Sequence, residues 1–380
     1  MFDLSGLSNL SAKIFQALTN SDGNHLTPIV LLSINGQPFG TLTMSRILSV
    51  QLTDNRGFEA DELTIELDDS DGLLSIPALD SLIKCSLGFK ETAVVYKGEF
   101  KMSEFTHSGA PDRLNITARS ADLDEKLAEQ QEKSWHKQTL YQIVETIAKK
   151  YAYEYLIGQE YQSITIDHID QTNESDASFL SRLAEQYDAI ATIKDKKLLF
   201  LPVGAAKTAS GKNIEPVIIT RMSGDNHSFT YSSTDNYAAV KAFYTEKKTG
   251  KKQSVIINKD NFDKPKESNK TGRRPKNSAS AGMVDDGQKI KILRHLYANK
   301  ANAEQGARAA FKKLKRGLAE FKINLAIGRP DLYPETPVYV SGFKTEIDCE
   351  DWIVARVVHS VNDSGYTCAL ELQAKLNLEN

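Results

Sequence analysis

The chain reads as an α+β protein, mostly β, with two antiparallel β-barrels flanking a mixed α/β middle domain. Three observations predict this. Apolar residues of period two, separated by turn residues, fill residues 28–119. The period becomes helical after Ser120, and strand-like runs resume near Val217. A weak internal repeat aligns Glu99–Ser108 with Asp351–Ser360, each starting near an aromatic residue and ending in His-Ser.

Each element has its own warrant. Residues 1–27 form an N-terminal extension in which Leu7, Leu10, Ile14, Ala17 and Leu18 suit a short amphipathic helix. In 28–119, Leu63, Ile65 and Leu67 alternate with polar residues, as do Ile83, Cys85, Leu87 and Phe89, then Leu114, Ile116 and Ala118. Short strands at this spacing suggest an antiparallel barrel or sandwich. The middle domain spans about 120–215. There Thr139 and Gln142 make a capping box ahead of Leu140, Ile143, Val144, Ile147, Ala148 and Tyr151 on one helical face. Ser175 and Asp176 are placed to cap a second helix whose Phe179, Leu180, Leu183, Ala184 and Tyr187 face one way. A hairpin follows, Ile190 to Ile193 and Leu198 to Leu201, stopped by Pro202. The second β domain, 216–375, holds a Lys-rich exposed loop at about 258–287 and a helix at about 299–321, with strands near 338–340, 352–358 and 367–373.

Composition narrows the function. At 40% hydrophobic and 26% charged, the 380 residues suit a folded protein of two to four domains. A net charge of −3 argues against dedicated nucleic-acid recognition. No run approaches the roughly 20 apolar residues of a membrane helix, and no signal peptide is evident. Three scattered cysteines, Cys85, Cys349 and Cys368, fit a reducing compartment and buried thiols, so folding in a cytoplasm is expected.

Candidate chemistry is sparse. Asp68 to Gly72 superficially resembles a calcium loop, but placing Gly72 sixth puts Leu67 first and Ala78 twelfth, so a turn is the better reading. The seven histidines show no i, i+4 pair, and His107 and His359, matched by the repeat, suggest a shared structural role. Glu174 and Asp176 suit a helix start more than an acid–base pair. The reading is no catalytic, cofactor or metal residues. The Lys/Arg cluster from Lys247 to Lys276 is read as a solvated loop, or as contact with an acidic partner surface or passing DNA.

One segment is far more specific. Asp170 to Pro202 closely resembles the signature of the phage late control D family, the hub proteins of contractile-tail baseplates. Its core here is Asp170, Gln171, Asn173, Glu174, Ser175, Asp176, Phe179, Leu180, Arg182, Leu183 and Ala184. Trp135 ahead of a Thr-Leu-led helix, the run Asp61-Glu62-Leu63 to Pro77, and the end around Trp352 and His359 resemble the family too. A looser form of the segment occurs in VgrG of type VI secretion. The resemblance implies a structural protein, not an enzyme. It implies a homotrimeric ring in which two tube-forming barrels per subunit match a six-fold tail tube to a three-fold spike. Implied partners are further copies, the tail spike, and tube and baseplate proteins, with no cofactor. The expected location is the virion tail baseplate, after synthesis and assembly in the bacterial host cytoplasm. The rival readings are the hub of a tailocin, an extracellular injection or type VI-like machine, and, from another class, a cell-wall hydrolase.

Overall fold

The computed structural model describes residues 26–122, 125–194, 196–208, 210–232, 237–246, 249–262 and 289–375. The helix expected near Leu7 to Leu18, and the Lys-rich loop beyond Phe262, lie outside the described residues. The chain is α+β and mostly β.

Seven strands open it: β1 (Pro28–Ile34), β2 (Gln37–Pro38), β3 (Ile47–Asn55), β4 (Glu62–Asp68), β5 (Leu82–Phe89), β6 (Val94–Ser108) and β7 (Arg113–Ser120). β4 shows why they form. Leu63, Ile65 and Leu67 are buried while Thr64 and Glu66 between them keep some access to solvent, as alternation demands. The middle of the chain supplies β8 (Gln130–Thr139), β9 (Glu154–Ile157), β10 (Thr165–Ser175), β11 (Ala189–Lys194) and β12 (Lys197–Pro202), with helices α1 (Leu140–Lys150) and α2 (Asp176–Tyr187). The remainder adds β13 (Val217–Thr220), β14 (Gly224–Tyr231), β15 (Ala239–Thr245), β16 (Lys252–Asn258), β17 (Ile290–Tyr297), helix α3 (Lys300–Arg316), β18 (Ala319–Leu325), β19 (Pro337–Ser341), β20 (Trp352–Asn362) and β21 (Gly365–Ala374).

The two outer β regions share one sheet. Its pairing order is β14-β18-β21-β20-β3-β4-β7-β6-β5-β1-β2, with β19 branching from β20 and β13 lying parallel to β19. The joint is the antiparallel β3–β20 pair, from Arg356 opposite Asn55 to Asn362 opposite Ser49. One apolar core serves both halves, including Leu52, Phe100, Phe321 and Trp352, each 1% exposed or less. The hairpins matched by the internal repeat are β6–β7 and β20–β21. Both carry a bulge at the corresponding place, Met102/Glu104 and Val354/Arg356, and both bury the aromatic residue just before it, Phe100 and Trp352.

The middle segment has its own core. A ribbon of β8 and β10, a three-stranded sheet ordered β11-β12-β9, and the two helices enclose Trp135, Ile143, Val144, Phe179, Leu183 and Phe200. The α1 capping box is present in full: Gln142 N–H donates to Thr139 Oγ1 at 3.1 Å and Thr139 N–H to Gln142 Oε1 at 2.9 Å. A third core joins α3 to the sheet β16-β15-β17 through Val240, Ala242, Ala303, Ala307 and Phe311.

The helix expected to reach residue 321 ends at Arg316. Leu314, Leu318 and Phe321 have helical spacing, but Gly317 follows the last turn, and Ala319, Phe321, Ile323 and Leu325 are buried with period two in β18. The local signal was ambiguous, and the sheet takes Phe321.

Gly306 seats α3: a Cβ there would lie 2.1 Å from the hydroxyl of buried Tyr297 and 2.4 Å from its ring carbon. In an unpacked helix, Gly→Ala stabilises by about 1 kcal/mol. Here Gly306→Ala is expected to destabilise by about 1–3 kcal/mol through overpacking, read as a lower urea midpoint. A raised midpoint would show that α3 does not sit against Tyr297 in this way.

Candidate functional site

The signature residues gather into one clamp at the start of α2. The register of β10 against β8 slips between Gln171 and Glu174, with Asn173 in the left-handed region at φ 47°, which Asn tolerates better than most residues. The slip turns the chain so that Ser175 caps α2, accepting from Ser178 N–H at 3.1 Å. Asp176 is thereby buried at 2% exposure, under the end of α1. Its carboxylate accepts from Lys150 Nζ at 2.7 Å, Tyr151 Oη at 2.7 Å and Gln171 Nε2 at 2.8 Å. Burial alone would raise its pKa, but these three donors hold it below the usual carboxylate value. Arg182 closes the clamp from outside, gripping Glu174 at 2.7 and 3.0 Å and donating to the Asp170 carbonyl at 2.8 Å. Trp135 stacks on Phe179, ring centres 6.0 Å apart and planes at 6°, with Lys133 Nζ 3.7 Å above the indole. Phe179, Leu180, Leu183 and Ala184 fill the core behind.

Trp352 and His359 are elsewhere. Trp352 lies in the large sheet's core, donating Nε1–H to the Ile347 carbonyl at 2.9 Å beside Phe321 and Phe229. His359 lies on β20 at the joint between the halves, 0% exposed. Its Nδ1 is 2.9 Å from Tyr366 Oη and 3.1 Å from Cys368 Sγ, and its Nε2 is 3.6 Å from Asp54 Oδ2 on β3. Lys97 Nζ from β6 approaches the same Asp54 oxygen at 3.5 Å and donates to the Leu332 carbonyl at 3.0 Å. The backbone N–H of Arg329 meets Cys368 Sγ at 3.2 Å. Thiol, imidazole and carboxylate thus stand in the order used by thiol hydrolases, but Cys368 is 1% exposed and Asp54 3%, so the trio is packed core that substrate cannot reach. Asp54, pushed up by burial but pulled down more by Lys97 and His359, sits at about 2. His359, which burial and Lys97 lower, is held above its ordinary value by Cys368 and Asp54.

The histidines paired by the repeat part company in structure. His107 is largely exposed and meets Asp69 at 3.3 Å, whereas His359 is fully enclosed. The turn after β6 is longer than that after β20, so His107 faces Leu114 and His359 faces Cys368, and a shared role is ruled out. Asp68 to Gly72 forms a turn in which the Asp68 carboxylate accepts from Ser70 N–H at 3.0 Å and Gly72 N–H donates to the Asp69 carbonyl at 2.8 Å.

Sequence reasoning missed Asp54 and Lys97, and that the expected buried thiol of Cys368 meets His359. The available signal was a lysine sharing the inward face of β6 with Val95, where an apolar residue is the rule. It also missed the links between cores. Arg56 bonds Glu335 at 2.8 Å and Gln373 at 2.7 Å; Glu335 accepts from Gly204 N–H at 2.7 Å; Lys194 pairs with Asp61; and Arg316, closing α3, forks onto Asp188. Such partners lie more than a hundred residues apart, beyond any spacing rule. Among the described residues, no three His, Cys, Asp or Glu side chains gather as metal ligands, and no helix is long and apolar enough to cross a membrane.

Comparison with known proteins places this geometry. The family described as phage tail baseplate hub (GPD) matches residues 93–365. A probable baseplate hub protein of Escherichia phage 186 is 41% identical over 378 residues, covering 95% of this chain and 96% of that one. The 43 kDa tail protein of prophage MuSo2 from Shewanella oneidensis superposes with a TM-score of 0.60 at 13% identity, covering 91% of this chain and 98% of that one. A component of the E. coli type VI secretion system superposes at 0.54 and 12% identity, covering 91% and 77%.

Removing the Asp54 charge leaves Lys97 and His359 enclosed without the carboxylate that faces them both. Asp54→Asn is expected to cost about 3–5 kcal/mol of unfolding free energy, measured by chemical denaturation at neutral pH. The pH course has a definite sign. Asp54 is depressed when folded, so its contribution is complete above the unfolded value of about 4 and is lost as pH falls toward about 2. His359 is raised, so its contribution is complete below about 6.5 and is lost as pH climbs through the folded-state value. The acid-side loss should shrink in Asp54→Asn; an identical acid limb in both proteins would remove Asp54 from the account.

Proposed function

The chain belongs to the phage tail baseplate hub family, and its homologues are structural proteins of the virion tail; on that premise we propose that it works as a homotrimeric ring joining the tail tube to the central spike. In this reading the two β regions, about 28–119 and 216–375, are tube domains, each curved as part of a barrel around a channel. Three copies then present six related β units to the tube above and three-fold symmetry to the spike below. Assembly takes place in the bacterial host cytoplasm. The signature clamp shapes the middle segment, about 120–215, into a body facing other baseplate proteins.

The observation that carries this reading is the fusion of two hairpin-bearing halves, with bulges at Met102/Glu104 and Val354/Arg356, into one sheet through β3–β20. A subunit offering the same strand arrangement twice, side by side, is what a three-to-six symmetry match requires. The pairing order also has two ends, β14 and the β1–β2 hairpin. An edge at each end favours head-to-tail contact between copies, the kind that closes into a ring. Exposed Leu31 on β1 and Tyr231 on β14 add apolar area at those ends.

Light scattering of the purified chain at micromolar concentration, alone and with the spike and tube proteins, tests the ring. Three times the monomer mass of 42.2 kDa is expected, at least with the partners present. A monomer under every condition would overturn it.

A further inference from the structure

The ribbon of β8 and β10 carries a pair of histidines that the clamp does not use. His136 and His168 face each other across the strands in register. Their rings lie 4.6 Å apart, centre to centre, with planes at 21°, and the two Nδ1 atoms are 3.0 Å apart. His168 Nε2 is 3.0 Å from Asp170 Oδ2, and Asp170 Oδ1 accepts from Ser134 Oγ at 2.6 Å. His168 and Asp170 are each 49% exposed at the side chain, so the pair is open to solution.

The hydrogen positions follow from the partners. An ionised carboxylate only accepts, so His168 carries its hydrogen on Nε2 and gives it to Asp170. A neutral His168 then presents a bare Nδ1 to His136, and His136 Nδ1–H donates to it. We propose that this pair is a chelating site for a divalent transition-metal ion, with His136 Nδ1 and His168 Nδ1 as ligands and Asp170 orienting His168. Bonds of about 2.0–2.1 Å at an angle between square and tetrahedral place two ligand nitrogens about 2.8–3.4 Å apart, which brackets the observed separation. The rings must pivot to aim both lone pairs at one point, and their exposure leaves room to do so. On binding, the His136 hydrogen moves from Nδ1 to Nε2, so the pair stays neutral and no net proton is released.

The carboxylate behind His168 is the outer partner that ligating histidines ordinarily have, fixing tautomer and ring direction. With only two protein ligands, water completes the shell, which suits ions that accept imidazole readily: Zn²⁺, Ni²⁺ or Cu²⁺. The spacing rule for helical histidines cannot find such a pair, because 136 and 168 meet only across paired strands. The inference stands apart from the ring and survives its failure.

The test is titration of the untagged full-length chain with ZnCl2, and separately NiCl2, by calorimetry at pH 7.5. One site of micromolar affinity is expected. His136→Ala and His168→Ala should each weaken it at least ten-fold, and Asp170→Asn by about ten-fold through loss of orientation. Equal melting temperatures would confirm that the variants, changed only at exposed side chains, remain folded. Binding unchanged in the double histidine variant, or no wild-type binding tighter than about 1 mM, would overturn the site and leave the pair sharing a hydrogen.

Discussion

Asp54 is the charge on which the joint between the two β halves depends. It sits on β3, the last strand of the first half in the pairing order, and meets His359 on β20, the first strand of the second. Lys97 reaches the same oxygen from β6 and is tied to the Leu332 carbonyl of the second half. Backbone pairing between β3 and β20 holds the halves side by side but says little about register, since a strand slips without losing its ladder. Shifting His359 by one residue would send it to the opposite face and leave Asp54 and Lys97 enclosed without it. Burying the Asp54–Lys97 pair beside His359 is costly, so the cluster contributes more to specifying the joint than to stabilising it.

The same logic is repeated at the other boundaries. Each of the three cores is linked to a neighbour by a charged contact: Arg56 to Glu335 and on to Gly204, Lys194 to Asp61, Arg316 to Asp188. The large sheet, the middle body and the α3 layer are therefore oriented by directional bonds as well as by apolar packing.

Much of this was legible from residues alone because it is local. The α1 capping box at Thr139 and Gln142, the Ser175 cap, the apolar face of α2 and the hairpin ending at Pro202 lie where spacing and turn chemistry put them. The repeat was legible as a pattern, and its bulges appear only in structure. What stayed hidden is long-range. Nothing in the order of residues shows that 54, 97, 359 and 368 converge, or that 136 meets 168. Phe321 was misread because both periods fit it, and His107 was paired with His359 because the differing turn lengths change register without disturbing the motif. The clamp lay between these cases: its residues were named, but the partners that give Asp176 its role, Lys150 and Tyr151, belong to the preceding helix.

Hydrogen exchange at the β3–β20 joint tests most directly whether the two halves form one body. If the enclosed charges lock them together, the joint amides of Val50, Leu52, His359 and Val361 will exchange as slowly as those of Ile65 and Leu370 in the adjoining strands, and with the same dependence on denaturant. Exchange at the joint as fast as in surface loops, while the strands on either side stay protected, would mean two independent halves and would contradict the account.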